Sequence, residues 1–294
     1  MYKSLNLSTL NTFDVQNYLQ NAIVPRPICF ASTIDENGLV NLSPFSFFNM
    51  VSTDPPILIF SPSRRVRDNT TKHTLENIKK IPEVAINIVS YDMVQQVSLS
   101  SCDYKKDQNE FIKAGFTEER SLLIKPPRVR ESPVQMECKV NQVIALGEKA
   151  GAGNLVIAEV MMMHIHEEIL NDKGGIDQNK LDIVARLGSN WYARINKENI
   201  FEVEKPNLKL GIGVDQLPES IRNSKILTPN NLGQLANVDA LPSIDVSFRD
   251  EKLKNIFYYY SAMPDDMENE IHLYASELLK NNKVIEAWQV LLSI

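Results

Sequence analysis

"ICFASTIDENGLVNLSPFSFFNMVSTDPPILIF", residues 28 to 60, is the stretch that decides how this chain folds. β-branched and aromatic residues fill the runs "ICFASTI", "LVNLSPFSFFNMV" and "ILIF", which "DENG" and "DPP" separate. Such runs read as short strands because branched and aromatic side chains pack well on a pleated surface. The breaks read as turns: Asn37-Gly38 predicts a two-residue hairpin turn, and Asp54-Pro55-Pro56 a second sharp reversal. Inside this stretch lies "SPFSFFN", residues 43 to 49. On one continuous strand, alternation would send Ser43, Phe45, Phe47 and Asn49 to one side and Pro44, Ser46 and Phe48 to the other. Neither face is purely apolar. That pattern is poor for a plain core strand and suits one wedged between a barrel interior and a flat, polar-edged ligand.

Working outward, "TKHTLENIKKI" predicts a short helix with Thr74 as its N-cap and Leu75, Ile78 and Ile81 on one face, ended by Pro82. "EVAINIVS" returns to a strand. Helical and loop segments follow through "SSCDYKKD" and "NEFIKAGF", and later strands are expected at "VQMECKVNQVIAL" and "NLVIAEVMMMHIHEEIL", the latter long enough to bend or bulge. Many strands with only brief helices argue for an antiparallel barrel or sandwich and against a doubly wound parallel sheet. The chain contains no G-x-G-x-x-G, no G-x-x-x-x-G-K-[ST] and no tandem repeat, which removes support for a Rossmann site or a P-loop.

Composition sets broad limits. The chain has 294 residues, 43% of them hydrophobic and 23% charged, which is ordinary for a globular protein with a sizeable core. Its net charge of −6 gives no general attraction to nucleic acid or an anionic membrane. Only "SPSRRVR", residues 61 to 67, is locally basic. The N-terminus lacks the basic start and apolar core of a signal peptide, and no apolar run reaches membrane-spanning length, so a cytoplasmic protein is expected. Cys29, Cys102 and Cys138 lack CxxC spacing and read as buried free thiols rather than as a disulfide framework or zinc site. His164 and His166 fall on one side of a predicted strand, but with no third ligand apparent they read as ordinary strand histidines, and no metal is expected.

From about residue 206 the texture changes, first loop-like and then helical. Met267, Ile271, Tyr274 and Leu278, at spacings of four, three and four, form one apolar stripe on a helix after Pro264. Ile285, Trp288 and Leu292 repeat the pattern in a last helix. These stripes read as packing surfaces.

The basic stretch carries the clearest chemistry. Arg64, Arg65, Arg67 and Lys72, with the hydroxyls of Ser61, Ser63, Thr70, Thr71 and Thr74, precede a predicted helix N-terminus, a combination suited to holding a phosphate. The alternative is a solvated loop whose charges pair with Asp68 and Glu76. Beside "SPFSFFN", a ligand with a phosphate tail and a flat ring would use both segments, and flavin mononucleotide is such a ligand.

"VPRPICFASTIDENGLVNLSPFSFFNMVSTDPPILIFSPS", followed in order by "KHTLENI", "NEFIKAGF", "PPRVRESPVQMECKV", "LVIAEVMMMHIHEEIL" and "IDQNKLDIVARLGSNWYARI", resembles the flavin reductase-like family of FMN-binding split-barrel proteins. The resemblance covers roughly residues 15 to 205. It implies a mainly β protein, a Greek-key FMN-binding split β-barrel with short helices, placed over residues 1–205; the C-terminal loop and helical extension over 206–294, read from the change of texture, lies outside the family's usual core. The resemblance further implies a homodimer with FMN near the subunit interface. Ser43, Phe45, Ser46, Phe47, Phe48 and Asn49 match the strand lining the flavin ring. Ser61, Arg65, Lys72 and Thr74 match the region receiving the phosphate, while His73 departs from the frequent Lys-Asp-Thr pattern and its role stays open. Arg26 lies at the barrel mouth or near the flavin. Arg186, with Trp191 and Tyr192, matches a segment near the flavin or the partner subunit. The activity implied is an FMN-dependent oxidoreductase that takes hydride from NADH or NADPH. The alternatives are an FMN-binding electron carrier without nicotinamide use, or a flavin-dependent oxygenase. The flavin carries the redox chemistry, so no general base is named.

Overall fold

In the computed structural model the opening stretch becomes four strands, β1 (Cys29–Ile34), β2 (Val40–Phe45), β3 (Phe48–Thr53) and β4 (Pro56–Phe60), preceded by helix α1 (Thr12–Ala22). Helix α2 (His73–Lys80) leads into β5 (Glu83–Asn87), and α3 (Val94–Ser100) and α4 (Glu110–Ala114) follow. The short strands β6 (Glu118–Glu119) and β7 (Arg128–Val129) pair with each other. Two long strands, β8 (Val134–Ala145) and β9 (Asn154–Ile165), come next, and then a hairpin of β10 (Ile183–Arg186) and β11 (Tyr192–Ile195). The structure describes residues 1–203 and 210–293, which divide into the units Met1–Phe201 and Glu202–Ile294. The boundary expected between 205 and 206 lies outside the described residues.

The first unit is a mainly β split barrel. Its seven-stranded antiparallel sheet runs β2-β1-β5-β8-β9-β4-β3, so β2 and β3, adjacent in sequence, form its two opposite edges. Register shifts between Glu137 and Cys138, and between Val140 and Gln142, let the long β8–β9 pair curl, as bulges do. The interior is closed by Phe60, Ile78, Val84, Ile86, Cys138 and Val156, all essentially inaccessible. A second cluster packs Phe30 edge-on against Phe116, with ring centroids 5.2 Å apart, over Leu42, Phe111 and Val129.

The local differences from the sequence reading have physical causes. The run from 39 to 51 is two strands, because at Ser46-Phe47 the chain steps across the split from one edge to the other. Pro44 is tolerated in β2 because that strand is an edge. The β1–β2 connection is a five-residue loop and not a two-residue turn at Asn37-Gly38: the Asp35 carboxylate accepts from the N–H groups of Asn37 (2.8 Å) and Leu39 (3.0 Å), with Gly38 in the left-handed region at φ +84°. Thr74 lies inside α2 and caps nothing; Lys72 occupies the N-cap position without a side-chain bond. The buried Thr74 hydroxyl donates instead to Asn41 Oδ1 at 2.7 Å, and Asn41 donates to the Glu110 carboxylate at 2.9 Å, joining α2, β2 and α4. Cys29 and Cys138 are buried, but Cys102 is exposed. His164 Nε2 lies 2.8 Å from the buried Glu137 carboxylate, which also accepts from the N–H groups of Leu122 and Leu123 and so ties the 120s loop to the barrel.

The second unit contains α5 (Glu219–Arg222), α6 (Pro229–Ala236), α7 (Glu251–Tyr259), α8 (Pro264–Lys280) and α9 (Val284–Leu291) around its own core of Leu235, Ile271, Leu279 and Trp288. Thr228 and Asn231 form a capping box at the start of α6. The expected stripe holds in α8, where Ile271 and Leu278 are buried and Met267 and Tyr274 pack against them. In α9, Trp288 is buried and donates to the Leu235 carbonyl at 3.2 Å, whereas Ile285 faces solvent and Val284 and Ala287 take the inner face. Among the described residues no helix is long and apolar enough to cross a membrane.

Truncating Phe30 removes a fully buried ring and its edge contact. Phe30→Ala should lower the unfolding free energy of the barrel by about 3–5 kcal/mol, read as a lower urea midpoint at unchanged slope. A loss under about 1 kcal/mol would contradict this account of the core.

Candidate functional site

A cleft of about 760 Å³ opens where the end of β2, the segment after β4 and helix α1 converge. Pro44, Phe45, Ser46 and Phe47 line one side; Phe45 is braced from below by Phe60, with ring centroids 5.6 Å apart. The strand break puts these residues here: a continuous strand would have carried Phe47 along the sheet and away from the opening. Helix α1 supplies the facing wall through Phe13, Gln16 and Leu19, with Ile23 just after it. The Asn11 side chain caps that helix by accepting from Asp14 N–H at 2.9 Å. No residue of α1 is buried, and Phe13 is 69% exposed, so the wall stands open.

The other end is cationic. Ser61, Ser63, Arg64, Arg65, Arg67 and Lys72 reach the cleft, with Asp103 among them. Asp103 meets Arg67 Nη2 at 2.6 Å, Arg65 Nε at 3.2 Å and Lys72 Nζ at 3.7 Å. Burial works against its charge, but the hydrogen bond from Arg67 and the nearby Lys72 outweigh that and hold the carboxyl below its ordinary range. For Lys72, burial and then the Arg65 guanidinium lower the proton affinity of the amine. Three cations share Asp103, and Arg67 also meets Asp68 at 3.1 Å, so two carboxylates answer Arg64, Arg65, Arg67 and Lys72 and leave positive charge to attract an anion.

The loop is rigidly built. Arg64 donates to the Asn69 side chain and carbonyl, both at 2.6 Å, and Arg65 donates to Thr70 Oγ1 at 2.9 Å and to the Thr71 carbonyl. The β8–β9 connection seals it from behind, since Arg64 N–H donates to the Ala152 carbonyl at 2.9 Å and Asn154 Nδ2 to the Pro62 carbonyl at 3.0 Å. Glycine is needed there: a Cβ on Gly153 would sit 2.8 Å from Ser61 Oγ, and one on Gly151 would sit 2.7 Å from Thr12 Cγ2. Among the described residues Ser63 Oγ is buried without a hydrogen-bond partner, and so is Arg26 Nε at the α1 end. The rest of the Arg26 guanidinium is held by the carbonyls of Gln20, Ile23 and Leu187. A buried hydroxyl with no partner beside surplus cations is a donor set suited to an oxyanion such as phosphate.

Of the expected site residues, the fold brings Phe45, Ser46, Phe47, Ser61, Arg65 and Lys72 together at this cleft. The others lie elsewhere. Ser43 pairs with Ala31 on the edge strand β2 and does not line the cleft. Phe48 pairs with Phe60 and packs on the barrel core, and Asn49, opposite Ile59, turns its side-chain oxygen to Met50 N–H at 2.9 Å. Thr74 is committed to Asn41. His73 begins α2 outside the cleft; burial lowers its proton affinity, partly offset by Glu76. Arg186 stacks over the Tyr192 ring at 4.6 Å in a different cavity. Sequence reasoning missed the α1 wall, Asp103 and Gly151. Helix α1 had a signal in Asn11 with Asp14 three residues on. Asp103 had none, being 38 residues from the Arg65 it pairs with.

Residues 21–180 match the model of the flavin reductase like domain, more than half of the chain. The chain belongs to the flavin reductase-like family. As a member it is a flavin-related oxidoreductase. An uncharacterised protein of Halalkalibacterium halodurans is 34% identical over 206 residues, covering 69% of this chain and 97% of that protein. One from Aquifex aeolicus is 34% identical over 172 residues, covering 58% and 85%. Among solved structures, nitrilotriacetate monooxygenase component B from Bacillus cereus is similar at 28% identity and TM-score 0.64, covering 69% of this chain and 99% of that one. Flavoredoxin of Desulfovibrio vulgaris shares the fold at 21% identity and TM-score 0.54, covering 69% and 97%.

Because Asp103 holds a folded-state carboxyl below its ordinary value of 3.8, its contribution to stability is complete above that value and is lost as pH falls through the lower folded one. Asp103→Asn should therefore destabilise the barrel at pH 7, and the gap to wild type in chemical unfolding should close as pH drops below 3.8. A gap independent of pH would show that the carboxylate's charge is not what matters.

Proposed function

We propose that this flavin reductase-like protein binds FMN in the cleft and works as an NAD(P)H-dependent flavin reductase. The supporting observation is charge and shape together: Arg65, Arg67 and Lys72 crowd Asp103 beside the Ser63 hydroxyl, which has no partner among the described residues, while Phe45, Phe47 and the apolar side of α1 line the rest. FMN carries a dianionic phosphate at one end and a flat ring at the other, so both ends find matching surface. Arg65 and Lys72 would turn from Asp103 to the phosphate, with Ser61 and Ser63 as hydroxyl donors. Phe45, Ser46 and Phe47 would flank the ring, and the anchored Arg26 would fix the end of α1 against it. Bound flavin supplies hydride and single-electron chemistry; the protein's part is to position it and to keep water from its face.

Dimerisation belongs to the same reading. Phe13 and Ile23 on and just after α1, and Met50 and Val51 on the edge strand β3, are more than half exposed, a cost that a second copy would relieve. The buried free thiols of Cys29 and Cys138 suit a reducing, cytoplasmic setting.

Titrating the purified protein with FMN and, separately, with riboflavin tests the cofactor reading. FMN should bind about 10–100-fold more tightly, and the double variant Arg65→Ala/Lys72→Ala should erase most of that difference. No binding of FMN would overturn the assignment. Anaerobic mixing of the FMN-loaded protein with NADH and with NADPH tests the reductase step: one of them should bleach the flavin absorbance. Failure of both would leave an electron carrier.

A further inference from the structure

Residues of β10, β11 and α3, with Tyr91 before α3 and Asn190 between the two strands, line a second, half-open cavity of about 360 Å³ in the first unit. On the hairpin, Val184 pairs with Arg194 and Arg186 with Tyr192, so these four side chains share one face. That face meets Tyr91 and Gln95 across the cavity. The two arginines stack on two tyrosines, Arg194 over Tyr91 at 3.7 Å and Arg186 over Tyr192 at 4.6 Å. Stacking fixes both guanidinium planes without using their in-plane donors.

Their charges are handled differently. Arg194 is neutralised by the Asp182 carboxylate, with Nε and Nη2 at 2.8 and 2.6 Å. Asp92 also acts on Arg194. Arg186 has no carboxylate partner among the described residues, and only its Nη1 is engaged, by the Trp191 carbonyl at 3.1 Å. The neighbouring cation adds to Arg186 and does not cancel it: Arg26 and Arg186 exchange backbone hydrogen bonds at 3.0 and 2.8 Å, and after burial the Arg186 charge is what lowers the proton affinity of Arg26. A planar guanidinium with its remaining donors free of any carboxylate among the described residues, in a cavity bordered by aromatic rings, suits an oxyanion attached to a ring. The volume is at the low end for small-molecule sites, enough for one ring system and its acid group and too small for a dinucleotide.

We propose that this cavity is a binding site for an aromatic ligand bearing a carboxylate or phosphate, with Arg186 holding the oxyanion and Tyr91 and Tyr192 bordering the ring. The site is separate from the FMN cleft, and the proposal does not depend on flavin occupancy. Gln95, Ser98 and Asn190 border the same cavity and supply polar edges for ring substituents.

Calorimetric titration of the full chain with benzoate and with adenosine 5′-monophosphate, against benzamide and adenosine as uncharged counterparts, tests it. At least one acid should bind, about tenfold or more tighter than its neutral counterpart. Benzoate alone marks a carboxylate site, the nucleotide alone a phosphate site, and both a general oxyanion site. Arg186→Gln should weaken binding about tenfold. Gln95→Glu, an exposed change on α3 that places a carboxylate at the cavity, should weaken it comparably and keeps the test decisive if Arg186→Gln does not fold. Neutral and acidic probes binding equally, neither acid binding, or both variants binding like wild type would overturn the proposal.

Discussion

Everything in the barrel hangs on the pairing of β8 with β9. This long hairpin sits in the middle of the strand order, with β5, β1 and β2 added to one side and β4 and β3 to the other. Without it the two groups of strands would be unconnected sheets, each with an exposed face and unpaired edges. Its register shifts supply the curvature that brings the far edges, β2 and β3, round to the split. The same hairpin's connection then braces the cationic loop through Arg64 with Ala152 and Asn154 with Pro62. Fold and cleft therefore share one foundation.

The cleft is also a compromise in electrostatics. A loop holding Arg64, Arg65, Arg67 and Lys72 would repel itself unless something answered the charge, and Asp103 and Asp68 do so in part. Full neutralisation would make a stable but inert surface. Partial neutralisation keeps the side chains ordered and leaves net positive charge at the mouth of the cleft.

Much of this was legible in the sequence, because alternation, turn residues and helix stripes are local. The strands around 28–60, the long later pair and the α8 stripe all follow from short windows, and the family's blocks fixed their arrangement. What escaped was non-local. The step at Ser46-Phe47 is invisible in a run of uniformly strand-like residues, since it depends on where the two edges meet. Thr74 has the composition of an N-cap and is instead drawn into a buried network by Asn41, 33 residues earlier. Asp103 is one acid in a polar patch until the fold sets it among the cations. Arg186 sits in a segment that the resemblance places near the flavin or the partner subunit; that it also borders a second cavity beside Tyr91 and Gln95, much earlier in the chain, is non-local and not legible in the sequence.

The cleft draws its walls from α1, the end of β2, the loop after β4, Asp103 and Gly151, segments spread over some 140 residues of chain. No partly folded state with α1 detached or the β8–β9 connection unformed contains it. A ligand held there stabilises only the finished barrel, in proportion to the logarithm of its free concentration. Occupancy of this cleft is thus a readout of completed folding. Without that ligand, α1, none of whose residues is buried, rests mainly on its Arg26 anchor, and the wall it forms is open to local unfolding at lower cost than the barrel core.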